Sequence, residues 1–594
     1  MLYKIHPAIV SSVADKIEIQ LAGGKSKRVR DKDVQLLHPG PLASLGALDA
    51  GEPALEEAWE LLEGEEVGLQ DLAEFLYGDF TPASAWGAWE ILQDGLYFEG
   101  DAARVRRRSE AAVQAEREAR DSKQRAEKDW SEFLSRVTEA RLVEEDRKRL
   151  AEVERVALGT AERSRILAQF DLPETAAAAH HFLVKCGYWD ADENPWPRRA
   201  GAQLAAVEIG VPDLPDEPRR DLTHLDAWAI DDAGNQDPDD AISIDGERLW
   251  VHIADVAALV RPGSHMDLAA RERGANLYLP EKIHTMLPAR VTERLGLGLT
   301  ERSPALSIAF GFDGDAVTDV EVVPSWVQVK RSTYDDIDQR MGEAPFKQIS
   351  AITDAYRVCR LQRGAARIDL PEVSVRVVEG EVVIRGLPKL ASRDMVTDAM
   401  LMAGEAAARY AQANQVPIPY AMQPSPEQIQ RPKTMSEMYA YRRFFKPSRA
   451  SLEAQPHFGL GLDIYARTTS PLRRYADLLV HQQIRAFAAG GKPMDAAKLL
   501  EHSAALDSAS AVVRRAERLS NLHWKLVHLR RNPQWTGEAV VVGLEARKAV
   551  LIIPELAFET KVRLSSEFAL DQTVTLSVSE VDLPAQSVYF RVSG

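Results

Sequence analysis

Five aspartates, Asp231, Asp232, Asp237, Asp239 and Asp240, crowd into the fourteen residues from Ala229 to Ile242. Gly234-Asn235 and Pro238 let the stretch fold tightly, and the apolar alternation at Ile242 and Ile244 reads as a strand. Carboxylates a few ångströms apart raise one another's pKa, so gathering Asp231, Asp237, Asp239 and Asp240 without a cation is costly. An oxygen-only set suits Mg²⁺ or Mn²⁺ rather than zinc. The plainer alternative is a polar surface loop, because Asp, Gly and Asn favour turns on their own account. A calcium loop fits poorly: with Asp231 or Asp237 as first ligand, neither the Gly nor the Glu that such a loop needs falls in register.

Other motifs follow at wide spacing. Leu249-Trp250-Val251-His252-Ile253-Ala254-Asp255-Val256 comes first, then Gly263-Ser264 and Asp267. Arg273-Gly274-Ala275-Asn276-Leu277-Tyr278-Leu279-Pro280 and Met286-Leu287-Pro288 come next, and Thr469-Ser470-Pro471-Leu472-Arg473-Arg474-Tyr475-Ala476-Asp477 lies far downstream. In this order and spacing the set resembles the catalytic RNB domain of the RNase II/RNase R exoribonucleases, over roughly residues 219 to 530.

The resemblance implies that Asp231, Asp237, Asp239 and Asp240 hold Mg²⁺, with Mn²⁺ a possible substitute. Asp239, Asp240 and Arg473 would be the catalytic group, because the planar fork of an arginine suits a scissile phosphate. Tyr278 would pack on the 3′-terminal nucleotide and Tyr334 lie near a sugar. Asp398 would take a hydrogen bond from a 2′-hydroxyl, a contact that separates RNA from DNA. Taken alone, Tyr278 reads better as a core tyrosine, Asp232 as a loop cap, and Arg474 as a partner of Asp477 three residues on. Three positions depart from the family pattern: Leu370 stands where many members carry a Phe of the base clamp, Gly404 replaces an Asn, and Arg467 replaces a His or Trp.

The rest of the chain must position these groups. Its 594 residues predict about three to five domains. The expected fold class is multidomain α+β. Residues 1–50 read as a small β-rich module and 51–108 as a winged helix-turn-helix-like domain. In the latter, Thr81-Pro82 starts a helix carrying Trp86, Trp89 and Leu92 inward and stopping at Gly95. Residues 109–218 read as charged helices and a Pro-rich linker, with the run Arg104 to Arg108 expected as a solvated helix start. Residues 219–532 form the RNB-type catalytic domain, a mixed sheet with helices. Residues 533–594 hold five short apolar runs, the third Lys561 to Leu564, and suggest an OB-fold barrel with Phe558, Tyr589 and Phe590 as candidate RNA-facing aromatics. The GxG at Gly296 and Gly298 lacks the frame of a dinucleotide site.

Charge argues partly against the nucleic-acid reading. The net charge is −17, and residues 51 to 100 contain thirteen Asp/Glu and no Lys or Arg. A recognition helix without basic residues binds phosphate poorly, so packing or partner contact outweighs DNA binding there. A locally basic channel in an acidic molecule remains compatible with RNA. Cys186 and Cys359 read as buried thiols. With no signal-peptide pattern and no apolar run of membrane-spanning length, a cytoplasmic monomer is expected. The function expected is Mg²⁺-dependent, processive 3′→5′ hydrolysis of single-stranded RNA to 5′-mononucleotides. The alternative is a catalytically silent RNA-binding scaffold on the same fold.

Overall fold

The computed structural model describes residues 5–563 and 568–593 and divides into two compact units, Met1–Leu142 and Val143–Gly594. In the first unit, strands Ile9–Val13, Ile17–Gln20 and Ser26–Val29 make a three-stranded sheet. Helices Leu55–Leu61, Leu69–Tyr77 and Pro82–Asp94 follow, with a small sheet of Glu66–Val67, Phe98–Asp101 and Arg104–Arg107. The Thr81 hydroxyl accepts from the Ser84 amide at 3.2 Å, and Gly95 ends that helix at positive φ. Leu62, Leu72, Leu76, Leu92, Phe98 and Val105 form its core; Trp89 packs against that core, whereas Trp86 does not join it.

Arg104–Arg107 is a strand, not the helix start expected. Alternation buries Val105, and Arg106 and Arg107 pair with Glu66 and Glu63 at 3.4 and 2.6 Å. A helix of 29 residues, Glu110–Thr138, then buries Val113, Phe133 and Val137.

The second unit opens with helices Glu144–Leu158, Arg165–Gln169 and Ala176–Lys185, closed on Leu150, Val153, Ile166 and Leu183. A seven-stranded sheet follows, built from β1 (Arg220–Asp221), β2 (Ala227–Asp231), β3 (Asp240–Asp245), β4 (Arg248–Ala254), β5 (Ser303–Phe312), β6 (Val317–Val327) and β7 (Val329–Thr333). Its order is β7-β2-β3-β4-β5-β6-β1; the outer pairs β7–β2 and β6–β1 are parallel and the rest antiparallel.

The period of two along β4 assigns its side chains to two cores. Leu249, Val251 and Ile253 face helices α1 (Phe346–Gln362) and α2 (Ala391–Ala413). Trp250 and Ala254 face α3 (Tyr475–Ala488) and α4 (Ala496–Arg531). A sheet covered on both faces leaves its central strands almost wholly buried.

One polar chain crosses that interior. The Ser243 hydroxyl meets His252 Nε2 at 2.8 Å, His252 Nδ1 meets the Ser307 hydroxyl at 2.7 Å, and Ser307 meets Ser325 at 2.6 Å. Ser325 donates onward to the Ala305 carbonyl. A neutral ring protonated on Nδ1 satisfies every member.

The chain ends in a five-stranded barrel: β8 (Thr536–Glu545), β9 (Lys548–Ile553), β10 (Phe558–Arg563), β11 (Thr573–Asp582) and β12 (Ser587–Ser593), in order β10-β9-β8-β11-β12. The expected strand end at Leu564 lies outside the described residues. Of the three candidate aromatics, Phe558 is buried and Phe590 packs on it and on Trp535, so neither faces outward freely. Tyr589 is exposed.

Burial lowers the His252 pKa from 6.5 to about 3, so the folded protein keeps the ring neutral where an unfolded chain protonates it. That contribution to stability is complete above pH 6.5 and is lost as the pH falls towards 3. Urea unfolding of His252→Phe at pH 7 should show a loss of roughly 1–3 kcal/mol for each serine hydroxyl left unpaired. Its stability should also vary less than wild type's between neutral and acid pH.

Candidate active site

Asp231 ends β2 and Asp240 begins β3, so the acidic stretch is the connection between two neighbouring strands of the sheet. Asp239 is 2% exposed. Its Oδ1 accepts from the Leu472 amide at 2.7 Å, and its Oδ2 lies 3.0 Å from Arg473 Nε without forming a well-aligned hydrogen bond. Residues more than two hundred positions apart thus meet at one carboxylate.

The loop is braced on every side. Asp237 Oδ2 accepts from Asn276 Nδ2 at 2.9 Å and from the Tyr278 hydroxyl. Asn276 Oδ1 accepts in turn from the Met286 amide at 2.6 Å. Arg331 donates to the Asn235 carbonyl at 2.7 Å, and the Leu297 amide to the Pro238 carbonyl at 3.0 Å. The Leu297 contact gives the Gly296–Gly298 loop its place: a Cβ on Gly298 would stand 3.0 Å from the Val329 carbonyl, and its φ is +77°. What has no meaning as a nucleotide motif is a support for the acidic loop.

The electrostatics follow from burial and crowding. Burial raises the pKa of Asp231, and the charge of Asp237 adds to it. Burial also pushes Asp239 well above the usual carboxylate range against the pull of Arg473, with Asp240 and Asp237 adding to the rise. Asp240 is pushed up to about 7 by burial and by Asp231. Burial alone would lower the pKa of Arg473, but Asp239, Tyr278, Asp240 and Asp237 outweigh it and raise it. Among the described residues, no three His, Cys, Asp or Glu side chains already converge on one ligating point.

The remaining expected residues fall in three places. Tyr278 joins the loop directly, and its backbone amide donates to Glu517 on α4 at 2.9 Å. Tyr334 lies within the field of Asp240 and Asp231, and the Arg393 guanidinium covers its ring at 4.1 Å while also pairing with Asp232. Asp398 on α2 is elsewhere: 2% exposed, with one oxygen held by Arg357 at 2.5 Å and the other by Arg360, both on α1. Leu370 packs against Tyr439, Val542, Val550 and Ile552, on the side of the terminal barrel. Arg474 pairs with Asp477 at 2.7 Å, and Asp477 also accepts the Ser470 amide at the start of α3. Asn276 and Glu517 were not singled out in the sequence. Asn276 lay inside a quoted motif, but Glu517 is one acid among many on a charged helix and carried no signal.

Three family models match the chain: an RNB domain over residues 219–490, a double HTH domain over 113–195, and an RNase II-type exonuclease C-terminal S1 domain over 535–593. An uncharacterized ribonuclease of Synechocystis is 30% identical across 96% of this chain and 94% of its own length. The chain belongs to the RNase II/RNase R family.

A further member, the chloroplastic/mitochondrial ribonuclease II of Arabidopsis thaliana, is 27% identical over 90% of this chain and 75% of its own. Among solved structures, the Dss1 exoribonuclease of Candida glabrata shares the fold at a TM-score of 0.65, with 16% identity over 97% of this chain and 94% of that one. Mycoplasma genitalium RNase R in complex with ribose-methylated single-stranded RNA shares it at 0.58, with 17% identity over 71% and 79%. The helix-turn-helix match covers the stretch read from sequence as charged helices and linker, where dense Arg and Glu mask the short helix Arg165–Gln169.

Of the departures from the family pattern, Gly404 has a steric setting. A Cβ on Gly404 would lie 2.3 Å from Tyr465 Cε2 and 2.7 Å from the Ala466 carbonyl, whose amide donates back to the Gly404 carbonyl at 3.2 Å. Glycine therefore lets the segment leading to Arg473 run directly over α2. Gly404→Ala should lower stability by about 1–3 kcal/mol through overpacking, read as a fall in midpoint by thermal or urea unfolding. A midpoint equal to wild type's would mean that Tyr465 moves aside freely.

Proposed function

We propose that this member of the family hydrolyses single-stranded RNA processively from its 3′ end, releasing 5′-mononucleotides with Mg²⁺ as cofactor. The meeting of Asp239 with the Leu472 amide and Arg473, beside Asp231, Asp237 and Asp240, is the observation that carries the reading. It joins an acidic loop and a guanidinium, the two charge types that phosphoryl transfer needs. Family membership supports 3′→5′ exoribonuclease activity in general.

The donor set fits a divalent cation. All four groups are carboxylates, three of them have raised pKa values, and Asp239 Oδ2 lacks an aligned hydrogen bond. Asp231, Asp237, Asp239 and Asp240 would hold Mg²⁺, or Mn²⁺ in its place. When bound, such an ion neutralises phosphoryl charge and makes a water more acidic.

The protein's own groups do the rest. Arg473 has its Nη2 on the Ser470 hydroxyl at 3.2 Å and its Nε beside Asp239, so the fork is held before a phosphate arrives. Asp239 and Asp240 orient the attacking water. Water adds across the P–O3′ bond: the phosphate stays on the released nucleotide, and the shortened strand takes a proton on its new 3′-oxygen.

Tyr278, tethered by its hydroxyl to Asp237, offers a ring for the last base, and Tyr334 lies by the sugar. Stacking tolerates any base, which suits degradation without sequence preference. Leu370 would offer aliphatic rather than aromatic contact along the strand's path. Asp398 would take a sugar hydroxyl on a lone pair left free beside its two arginines, and its burial makes access the controlling factor. No helix among the described residues is long and apolar enough to cross a membrane. Single-stranded RNA is the proposed partner of a monomeric cytoplasmic enzyme.

The test is degradation of 5′-labelled single-stranded RNA, with DNA of the same sequence beside it, in Mg²⁺ or EDTA. Wild type should shorten only the RNA, stepwise from its 3′ end and only with the metal. Asp239→Asn should lose roughly a hundredfold or more in rate. A wild type that binds RNA and leaves it intact in both Mg²⁺ and Mn²⁺ would establish the scaffold reading instead.

A further inference from the structure

Four buried or half-buried charges that take no part in the chemistry above form a closed ring. Asp255, the residue after β4, is fully buried, and the Arg219 side chain is 1% exposed. Arg219 Nη1 lies 2.7 Å from Asp255 Oδ2, and its Nη2 lies 2.6 Å from Glu217 Oε1. Arg485 on α3 grips the same pair, with Nη1 3.2 Å from Asp255 Oδ2 and Nη2 2.6 Å from Glu217 Oε1. The charges alternate around the ring and sum to zero. Glu217 Oε1 accepts hydrogen bonds from both arginines, whereas neither Asp255 oxygen has an aligned one, so the Asp255 side of the ring is held by charge and by the span of the two forked guanidinium groups.

Its place in the chain gives it a task. The amide of Ala254, next to Asp255, donates to the Asp239 carbonyl at 2.8 Å. At the other end, the residues leading into α3 hold Asp239 through the Leu472 amide and Arg473. Arg485 lies ten residues along α3 from Tyr475, about 15 Å at 1.5 Å per residue. The strand that carries Ala254 and Asp255 and the helix that follows Arg473 are therefore joined twice, once at the active site and once at the ring. Gln482 ties α3 to the Val260 carbonyl at 2.9 Å and Gln483 ties it to the Pro417 carbonyl at 2.7 Å. The two forks on two carboxylates add a charged anchor at Arg485, three residues on from Gln482 and close to the strand that meets Asp239. Buried ion pairs of this kind add little net stability relative to apolar packing but can fix register.

We infer that Glu217, Arg219, Asp255 and Arg485 are positioning residues that set α3 along its axis and so place Arg473 against Asp239 and the phosphate. The inference rests on the exoribonuclease reading for its effect on rate. It also makes the end of the linker, which supplies Glu217, and the first residue of the catalytic domain, Arg219, part of the active-site framework.

Arg485→Lys keeps the charge and loses the fork, so one group can no longer span both carboxylates. The double variant Asp255→Asn/Arg485→Gln removes one charge of each sign and leaves Glu217 paired with Arg219. With 5′-labelled single-stranded RNA and Mg²⁺, Arg485→Lys should lower kcat roughly tenfold to a hundredfold. KM, and RNA affinity measured in EDTA, should stay within about twofold. The double variant should lose clearly less than the sum of the losses of Asp255→Asn and Arg485→Gln, because both act through one ring.

Hydrogen exchange gives a readout that needs no turnover: protection of the Leu472 amide should fall in Arg485→Lys while protection in the middle of α4 stays as in wild type. Unchanged kcat and Leu472 protection would overturn the inference, as would losses that track only the unfolded fraction at the assay temperature. A wild type that leaves RNA intact sinks the exoribonuclease reading alone, since the Leu472 amide still reports whether the ring holds α3.

Discussion

A carboxylate buried as deeply as Asp239 is costly unless opposite charge and a donor are delivered to it. Here both arrive from one short turn, the Leu472 amide and the Arg473 guanidinium, which enter from a helix-bearing segment far along the chain. Much of the second unit serves that meeting. The sheet fixes the two strand ends between which the acidic loop hangs, and the core on its second face seats α3 so that its leading turn reaches them. The loop itself has almost no regular structure, so its shape comes from neighbours: Asn276, Tyr278, Arg331 and the Leu297 amide each hold one point of it.

This arrangement keeps crowded negative charge in reserve. Three carboxylates with raised pKa values, faced by one arginine, form a site whose electrostatics are incomplete without further positive charge. Preorganised groups of this kind do more for phosphoryl transfer than groups that must gather around the substrate, because the cost of assembly is met on folding. Of the overall charge of −17, the acid of residues 51 to 100 belongs to a unit other than the one that carries the site. There, the nearby arginines are engaged with Glu63 and Glu66.

Asp398 and the Arg219–Asp255 ring show how little a sequence says of the partners that an acid meets. The family resemblance leads one to expect Asp398 beside a sugar, and in the fold both of its oxygens meet arginines of α1. Asp255 sits in a motif adjacent to the strands that carry the acidic loop, and it meets Arg219 and, on α3, Arg485. In each case the residue type and spacing were visible, and only the tertiary structure showed the partners.

The sequence by itself determined the acidic loop, the arginine motif, the family, the mixed sheet with its helices and the terminal barrel. These are written in local features: residue types at short spacing, period-two alternation and turn residues. Gly95 and the Thr81-Pro82 start were legible for the same reason, since capping is local chemistry. Tertiary structure alone decided that Arg473 meets Asp239, that Asn276 and Glu517 position Asp237 and Tyr278, and that Arg104–Arg107 is a strand. It also decided that Gly404 makes room for Tyr465 and that Glu217, Arg219, Asp255 and Arg485 close into a ring. Each of these depends on which distant segment lies alongside, and that is set by packing of whole elements rather than by any residue's own preference.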